Sequence, residues 1–424
     1  MTSPHSRRGP LPPGVIVVLT AAAIHTLGAL AMATALGKVV FDITGRALDL
    51  GLLGLAEFVP TAVLAPIVGP AADRYDRRRV VAAGFGLEAV VTLGLARYIG
   101  SEPSAVWPIF ALVVGFGTAR AMVAPAIRAL PADLAGTQLA RVIPLGSAAW
   151  QLAVIVGPVV GAFLYLGSPA WPFLFATAAM LVGITLIGRA PDVRPQLQAA
   201  HATFMAHTDE QSPSPGPLRE ALQGLAFVRR TPILLGALSL DLFAVLFGGA
   251  VALLPAIATN RLGVGVVGLG WLRAAAGIGA GATTLVLAWR PVQRRVGRVL
   301  LAAVAVFGGA TLVLAFTRTY VVAFAAILVL SSADAISMFI RGTLVPLVTP
   351  ALQRGRVLAT ENVFIGASNE LGAFESGVAG QLLGLVGAIA LGGAATLAIV
   401  VVWWFLFPAL RDVDRFDDAM ASRA

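Results

Sequence analysis

The sequence predicts an all-helical membrane protein of about twelve spans, arranged as two six-helix bundles. The chain of 424 residues is 58% hydrophobic and only 12% charged, with a mean hydropathy of +0.88, whereas soluble domains carry about 25% charged residues. Its apolar runs are continuous over about twenty residues, the length of a membrane-spanning helix and about twice that of a barrel strand. Lys and Arg concentrate on alternate connections between the runs, which indicates that the chain crosses the membrane repeatedly. An internal repeat indicates two similar bundles.

The first run directly follows a short basic segment, and it is long enough to remain as an anchor. We therefore expect no cleaved signal peptide. The apolar runs predict spans at 14–37, 49–72, 80–98, 104–127, 145–166, 171–188, 233–256, 266–289, 298–316, 320–341, 358–385 and 388–408.

The basic residues mark one side of the membrane. Of the 30 Lys and Arg residues, 23 fall on one set of alternate connections and the termini, five fall on the other set, and Arg120 and Arg273 lie within spans. The positive-inside rule then predicts both termini in the cytoplasm. The same bias accounts for the net charge of +9, so we do not expect nucleic acid as a partner.

Several kinds of chemistry are excluded. The chain has no cysteine, which excludes disulfides, thiolate metal sites and cysteine nucleophiles. Its one lysine, Lys38, is followed by Val39, whereas a phosphate-binding loop needs Gly-Lys-Ser/Thr. We therefore expect no enzymatic activity, no cofactor and no bound metal.

The longest connection divides the chain into two similar halves. It contains a Ser- and Pro-rich linker and a segment, 218–230, whose pattern predicts an amphipathic helix on the membrane surface. Ile127-Arg128 recurs as Ile340-Arg341, and Gly157 as Gly372, at offsets of 213 and 215. The predicted organisation is a cytoplasmic N-terminus (1–13), a first six-helix bundle (14–188), a cytoplasmic linker (189–232), a second six-helix bundle (233–408) and a cytoplasmic tail (409–424).

A short basic loop joins spans two and three. Arginines and aspartates alternate there, and such groups can pair with charges and dipoles at neighbouring helix ends. We interpret the loop as a conformational latch, formed in one global state and broken in another. An ordinary basic loop is the alternative. The latch residues are Gly69, Asp73, Arg74, Asp76, Arg77 and Arg78.

Span five combines glycines with a proline. Proline bends a helix and frees a carbonyl, and glycine lets a partner helix approach closely. A kinked span without further role is the alternative. The residues of this motif are Gly146, Gly157, Pro158 and Gly161.

Ionisable residues within spans are costly and usually functional. Asp241 and Glu370 lie nearest midspan, and we expect them to carry protons because desolvation favours the neutral form of a carboxylic acid. Glu57 and His25 are further candidates for proton coupling. A structural hydrogen bond is the alternative for each, and His25 is also a candidate to contact a ligand.

A second set of polar residues is expected to line a central cavity. Arg120 and Asp334 are 214 residues apart and occupy nearly equivalent places in the two halves, so we expect an ion pair between them. Span eleven is the most polar span. At 100° per residue, several of its polar residues share one face, with Glu370 nearly opposite Glu361. The cavity candidates are Arg120, Asp334, Glu361, Ser368, Asn369 and Glu375.

The basic loop resembles the signature Gly-x-x-x-Asp-Arg-x-Gly-Arg-Arg of the major facilitator superfamily, with Asp76 where the family usually has Gly. This variant and the stretches 241–255, 354–357 and 368–372 resemble the group of the enterobactin exporter and the macrolide-efflux proteins. The motif in span five is similar to the antiporter motif of the superfamily, although Ala162 replaces its last Gly. The resemblance covers residues 14–408, but the second basic loop, 290–298, lacks an aspartate.

The resemblance implies the major facilitator fold and a secondary transporter that works by alternating access. It further implies proton-coupled export of a small amphipathic organic molecule, such as a drug, a macrolide or a siderophore, by a monomer in the bacterial inner membrane. The expected partners are this small molecule, protons and the lipid bilayer. The alternatives are uptake by proton symport and a membrane sensor or assembly subunit that transports nothing.

Overall fold

The computed structural model describes residues 10–192, 217–350 and 353–421, without the side chains of 65–74, 217–222 and 420–421. Within these ranges the regular structure is entirely helical. The helices of at least four residues are α1 (Pro13–Thr44), α2 (Ala47–Arg74), α3 (Arg77–Ile99), α4 (Trp107–Ala135), α5 (Leu139–Gly167), α6 (Trp171–Arg189), α7 (Pro217–Arg230), α8 (Pro232–Phe247), α9 (Val266–Trp289), α10 (Val296–Phe316), α11 (Tyr320–Val348), α12 (Arg354–Leu406), α13 (Pro408–Arg411) and α14 (Asp418–Ala421).

Ten continuous helical stretches in the described ranges are long and apolar enough to cross a membrane. Two of them, Trp107–Gly167 and Arg354–Leu406, contain 61 and 53 residues, which is enough for two passes each. Gly136 interrupts the first with φ 50°, and Gly384 interrupts the second with φ 73°. Glycine is suited to both breaks because it adopts positive φ without a steric penalty. The two long stretches therefore account for four of the twelve predicted spans.

The seventh predicted span, 233–256, is not a single α-helix. α8 ends at Phe247, and a 3-10 turn (Gly249–Leu253) and a π-helical turn (Ile257–Arg261) follow. At Gly249 the chain passes so close to α12 that a Cβ atom would lie 2.6 Å from Oγ of Ser376. Apolar composition alone does not reveal such a contact, so the sequence predicted a longer regular helix.

Each half packs mainly on itself. In the first half α1 lies against α5 and α6, α3 against α4 and α6, and α2 against α4. In the second half α11 packs on α9 and α10, and α12 packs on α8 and α10. The halves meet chiefly through two helix pairs, α2 with α12 and α5 with α9.

The closest approaches between the halves lie away from the arginine-rich end, which we define by residues 75–79, 136–141 and 290–298. A Cβ atom at Gly377 of α12 would lie 2.9 Å from Cα of Gly51 in α2, and one at Gly270 of α9 would lie 2.8 Å from the carbonyl oxygen of Pro158 in α5. Near the arginine-rich end, by contrast, α5 exposes Ile143 and Leu145. Arg120 and Asn369 are exposed although they lie within spans, and we interpret them as bordering a space between the halves.

Candidate functional site

The first candidate site is an ion pair that faces the space between the halves. Nη1 of Arg120 in α4 donates to Oε1 of Glu57 in α2. The Arg120 side chain is 58% exposed and that of Glu57 is 29% exposed. Glu370 of α12, in the opposite half, interacts electrostatically with both. We call Glu57, Arg120 and Glu370 the interface cluster.

Close helix packing positions the interface cluster. α4 presents Gly117 to the backbone of Glu57, so that a Cβ atom there would lie 3.1 Å from Cα of Glu57. Oγ1 of Thr61 donates to the carbonyl oxygen of Gly117 at 3.0 Å. Across the interface, a Cβ atom at Gly54 would lie 2.9 Å from Oε2 of Glu370. Two carboxyl groups from different halves therefore lie near one guanidinium, which can pair with either of them.

The second candidate site is buried within the second half. Nη2 of Arg341 in α11 lies 2.7 Å from Oδ1 of Asp241 in α8, and their side chains are only 4% and 9% exposed. Nε of Arg341 donates to Oγ of Ser337 at 3.4 Å. Asp334 and Glu361 interact electrostatically with the same guanidinium. We call Asp241, Asp334, Arg341 and Glu361 the buried cluster; it places three carboxyl groups around one arginine.

The predicted ion pair between Arg120 and Asp334 does not form in this structure. Arg120 pairs with Glu57 in its own half, and Asp334 lies in the buried cluster. The physical reason is that equivalent helices of the two halves, here α4 and α11, pack chiefly against neighbours in their own half. The sequence analysis did not foresee the partner of either residue, nor the role of Arg341.

The two faces of α12 have different surroundings. Glu361 and Ser368 are buried, and Oγ of Ser368 donates to the carbonyl oxygen of Ile365 at 3.1 Å. Asn369 is exposed and Glu375 is half-buried. Glu370 faces α2, on the side opposite Glu361. In this structure only some of the cavity candidates border the open space, and Glu361 and Ser368 are not among them.

His25 forms a third polar contact, inside the first half. Its Nε2 lies 2.6 Å from Oε2 of Glu88 in α3, and its ring stacks on Phe85 with centroids 4.4 Å apart. Glu88 is fully buried, and its Oε1 has no hydrogen-bond partner. His25 therefore makes a hydrogen bond inside its own half, which is the alternative that the sequence analysis left open for it.

The basic loop is attached to its own half. Oδ1 of Asp76 accepts from the backbone N of Arg78 at 3.0 Å and so caps α3. Nη1 of Arg77 donates to Asp133 of α4 at 2.6 Å, and Nη2 of Arg78 lies 3.1 Å from Asp192, just after α6. The sequence analysis missed both acidic partners, although each follows the end of a span. The side chains of Gly69, Asp73 and Arg74 lie outside the described part of the structure.

The glycines of α5 allow close contact with α1. A Cβ atom at Gly157 would lie 2.8 Å from Cβ of Leu30, and one at Gly161 would lie 2.7 Å from Cα of Ala31. At Gly146 the nearest atom, Cδ2 of Leu19, would be 3.4 Å away, which is an ordinary contact distance.

The opposite face of α5 contacts the other half. The Pro158 carbonyl lies against Gly270 of α9. Nε2 of Gln151, one of the residues that the sequence analysis missed, donates to the carbonyl oxygen of Gly277 at 2.6 Å. The same helix thus packs within its half and bonds across the interface.

The similarity of the chain to known proteins agrees with this architecture. The sequence model of the Major Facilitator Superfamily matches residues 15–339. The multidrug efflux pump Tap of Mycolicibacterium fortuitum is 28% identical over 432 residues, which cover 97% of this chain and 98% of that protein. Macrolide efflux protein A of Streptococcus pyogenes is 24% identical over 231 residues, 52% of this chain and 50% of that protein.

Solved structures resemble the fold over most of its length. The nucleoside transporter NupG superposes with a TM-score of 0.66 at 13% identity and covers 93% of this chain and 99% of its own. A bacterial homologue of the human lysosomal transporter Spinster, in an inward-facing and unoccupied conformation, gives a TM-score of 0.67 at 15% identity, over 98% and 99% of the two chains. At such identities the likeness concerns the fold alone.

Proposed function

Since the chain belongs to the Major Facilitator Superfamily, we propose that this multi-pass membrane transporter exports a small amphipathic organic molecule in exchange for protons. The proposal combines three parts: coupling to protons, export as the direction, and an amphipathic compound such as a drug, macrolide or siderophore as the substrate. The two halves alternate in opening to the two sides of the membrane.

The interface cluster is the single observation that carries the proposal. Arg120 and Glu57 belong to one half and Glu370 to the other. When a carboxylate binds a proton, it loses its attraction for the guanidinium. A change of protonation at Glu57 or Glu370 therefore changes the interaction between the halves, which is the physical requirement for coupling proton movement to alternating access.

The buried cluster is a second candidate for proton binding. Three carboxyl groups, including Asp241, share the single guanidinium of Arg341. Such an excess of buried negative charge is unfavourable unless some of the acids carry protons. Asp241 is only 9% exposed, whereas Glu57 is 29% exposed and Glu370 is half-buried, so we assign the exchange of protons with the open space to Glu57 and Glu370.

Export is supported by the relatives and by α5. Two of the proteins similar to this chain are named efflux proteins. The Gly157, Pro158 and Gly161 motif of α5 lies where this helix packs on α1 and on α9 of the other half, so it is placed to respond to movement between the halves. Exposed Asn369 and half-buried Glu375 of α12, with Arg120 and Glu57, are our candidates for contact with the substrate.

The orientation follows from charge. The arginine-rich end carries the basic loop and most of the Lys and Arg residues, so we place it and both termini in the cytoplasm of a bacterial cell, with the transporter in the plasma (inner) membrane. In that orientation, we propose that this conformation opens to the cytoplasm, the state from which an exporter would load its substrate. We propose that the basic loop acts as a latch in the opposite state.

Everted membrane vesicles test the proposal. With an imposed proton gradient, vesicles containing the protein should accumulate ethidium or radiolabelled erythromycin, and addition of the compound should dissipate the gradient. Arg120→Gln should abolish both signals, whereas Arg318→Gln, the same change in an exposed connection, should leave them intact.

Other outcomes support other functions. Loss of preloaded compound from the vesicles along with the protons would indicate uptake by symport in the cell. No movement of any compound in a broad panel, together with an unchanged phenotype for Asp73→Asn, would favour the sensor or assembly subunit.

A further inference from the structure

The His25–Glu88 pair leaves one polar atom unexplained. Oε2 of Glu88 is bonded to His25 at 2.6 Å, but Oε1 is buried and has no hydrogen-bond partner. A buried carboxylate oxygen without a donor is costly. This cost suggests that the second oxygen receives a donor in another state of the protein.

The packing of α3 against α4 indicates which donor this oxygen could receive. A Cβ atom at Gly84 would lie 3.7 Å from Cβ of Val123, and one at Gly94 would lie 3.2 Å from Cδ2 of Leu112. These two contacts set the register of the antiparallel pair and place Glu88 opposite residues 118–119. Arg120 directly follows these two residues on α4, and its charge interacts electrostatically with that of Glu88.

The guanidinium of Arg120 can serve more than one acceptor. It carries five N–H donors, and in this structure Nη1 donates to Glu57. Its side chain is more than half exposed, so no tight packing prevents it from moving. Glu57 and Glu88 therefore both interact electrostatically with this one cation.

We propose that Glu88 is the second acceptor of Arg120, so that Arg120 exchanges Glu57 for Glu88 when a proton binds to Glu57. This inference rests on the proposed proton coupling and gives the His25–Glu88 pair a positioning role in it. The proton forms an O–H bond on Glu57 and neutralises it. The guanidinium then pairs with the carboxylate of Glu88, which keeps its hydrogen bond to His25. The reverse exchange returns the proton.

The charges around these groups are few. Arg120 interacts with Glu57 of α2, Glu88 of α3 and Glu370 of α12. Glu88 faces His25 of α1 and Arg120 of α4. α6 also packs on α3, but it carries no titratable residue before Arg189. The exchange thus involves three carboxyl groups and one imidazole.

The natural absence of cysteine makes a direct measurement possible. Spin labels at Ser101→Cys and Arg318→Cys lie in exposed connections of different halves, at the end opposite the arginine-rich one. Their distance distribution, measured by pulsed electron resonance in lipid nanodiscs without substrate from about pH 5 to 9, reports the opening of that end. In the labelled parent protein we expect the populations of shorter and longer distances between the two labels to change with pH.

The variants give opposite results if Arg120 exchanges partners. Glu57→Gln should hold the protein in its low-pH distribution at every pH, because Arg120 then pairs with Glu88. Glu88→Gln should hold it in the high-pH distribution and abolish the response, whereas Glu88→Asp should retain the response. Glu102→Gln is the matched control and should behave as the parent.

His25→Asn provides a test that does not remove a carboxylate. Without the hydrogen bond from His25, Glu88 attracts Arg120 more strongly. Glu57 then loses Arg120 more readily and binds a proton more readily. The midpoint of the pH-dependent change in the distance distribution should move to higher pH by about one unit, a tenfold change in proton affinity.

The proposal is overturned if Glu88→Gln keeps the amplitude and midpoint of the parent, or if Glu88→Gln fails to fold and His25→Asn leaves the midpoint unchanged. A labelled parent with no response to pH would overturn the proposed proton coupling together with this inference.

Discussion

The two halves each contain an arginine–carboxylate pair within the membrane, and the two pairs differ in exposure. In the first half the side chains of Arg120 and Glu57 are 58% and 29% exposed and face the space between the halves. In the second half those of Arg341 and Asp241 are 4% and 9% exposed and lie inside the bundle. An exposed pair can exchange partners and protons, whereas a buried pair is held by its surroundings.

The difference in exposure gives the two arginine–carboxylate pairs different roles. A buried ion pair is not in itself a large source of stability, but removing one partner leaves an uncompensated charge. An exposed pair contributes little to stability because water competes for both groups. We therefore expect changes at the buried pair to act mainly on folding and changes at the exposed pair mainly on transport.

The largest effect on the free energy of unfolding is expected for Arg341→Gln. The substitution leaves Asp241, Asp334 and Glu361 without their common cation, and loss of one partner of a buried ion pair costs about 3–5 kcal/mol. Thermal unfolding in detergent measures the effect. Arg341→Gln combined with Asp241→Asn should recover part of the loss, and an unchanged melting temperature for the single variant would contradict the structural role of this pair.

A smaller effect is expected at a close helix contact in the first half. Gly161→Ala places a methyl group 2.7 Å from Cα of Ala31, and forcing extra atoms into a packed contact typically costs about 1–3 kcal/mol. Gly188→Ala is the matched control because a Cβ atom there meets no atom within 4 Å. Equal melting temperatures for the two variants would show that α1 and α5 separate without cost.

Arg120→Gln should change stability by less than about 1 kcal/mol, since its ion pair is exposed. Transport should nevertheless be lost, because the cation that links the two carboxyl groups is gone. Paired measurements of melting temperature and vesicle transport on the same preparation make the comparison with Arg341→Gln direct. If Arg120→Gln were as unstable as Arg341→Gln, the proposed division of roles between the halves would be wrong.

The smallest effect is expected for a pair outside the membrane. The hydrogen bond from Arg411 holds the pKa of Asp412 below its usual range. The favourable interaction is present at neutral pH and is lost as the pH falls through the folded-state pKa of Asp412. Arg411→Gln should raise that pKa toward its ordinary value without changing transport, as followed by the 13C shift of the carboxyl group. Arg415→Gln serves as the control.

The predicted spans and the structure agree where the signal is local. Apolar length and basic flanks are properties of short segments, and they sufficed to predict the helices and the membrane, whereas the family was predicted from the resemblance of short motifs such as the basic loop. The break after Phe247 was not predicted because it results from contact between Gly249 and α12. Likewise, the partners of Arg77 and Arg78 follow spans that are distant in sequence.

The sequence by itself determined the number and approximate limits of the apolar segments, their duplication and the charge asymmetry, because each is encoded in composition along the chain. Only the tertiary structure decided which ionisable residues meet. Helix rotation and packing register determine that outcome, and they paired Arg120 with Glu57 and placed Asp334 near Arg341, although the repeat had suggested that Arg120 and Asp334 would pair with each other.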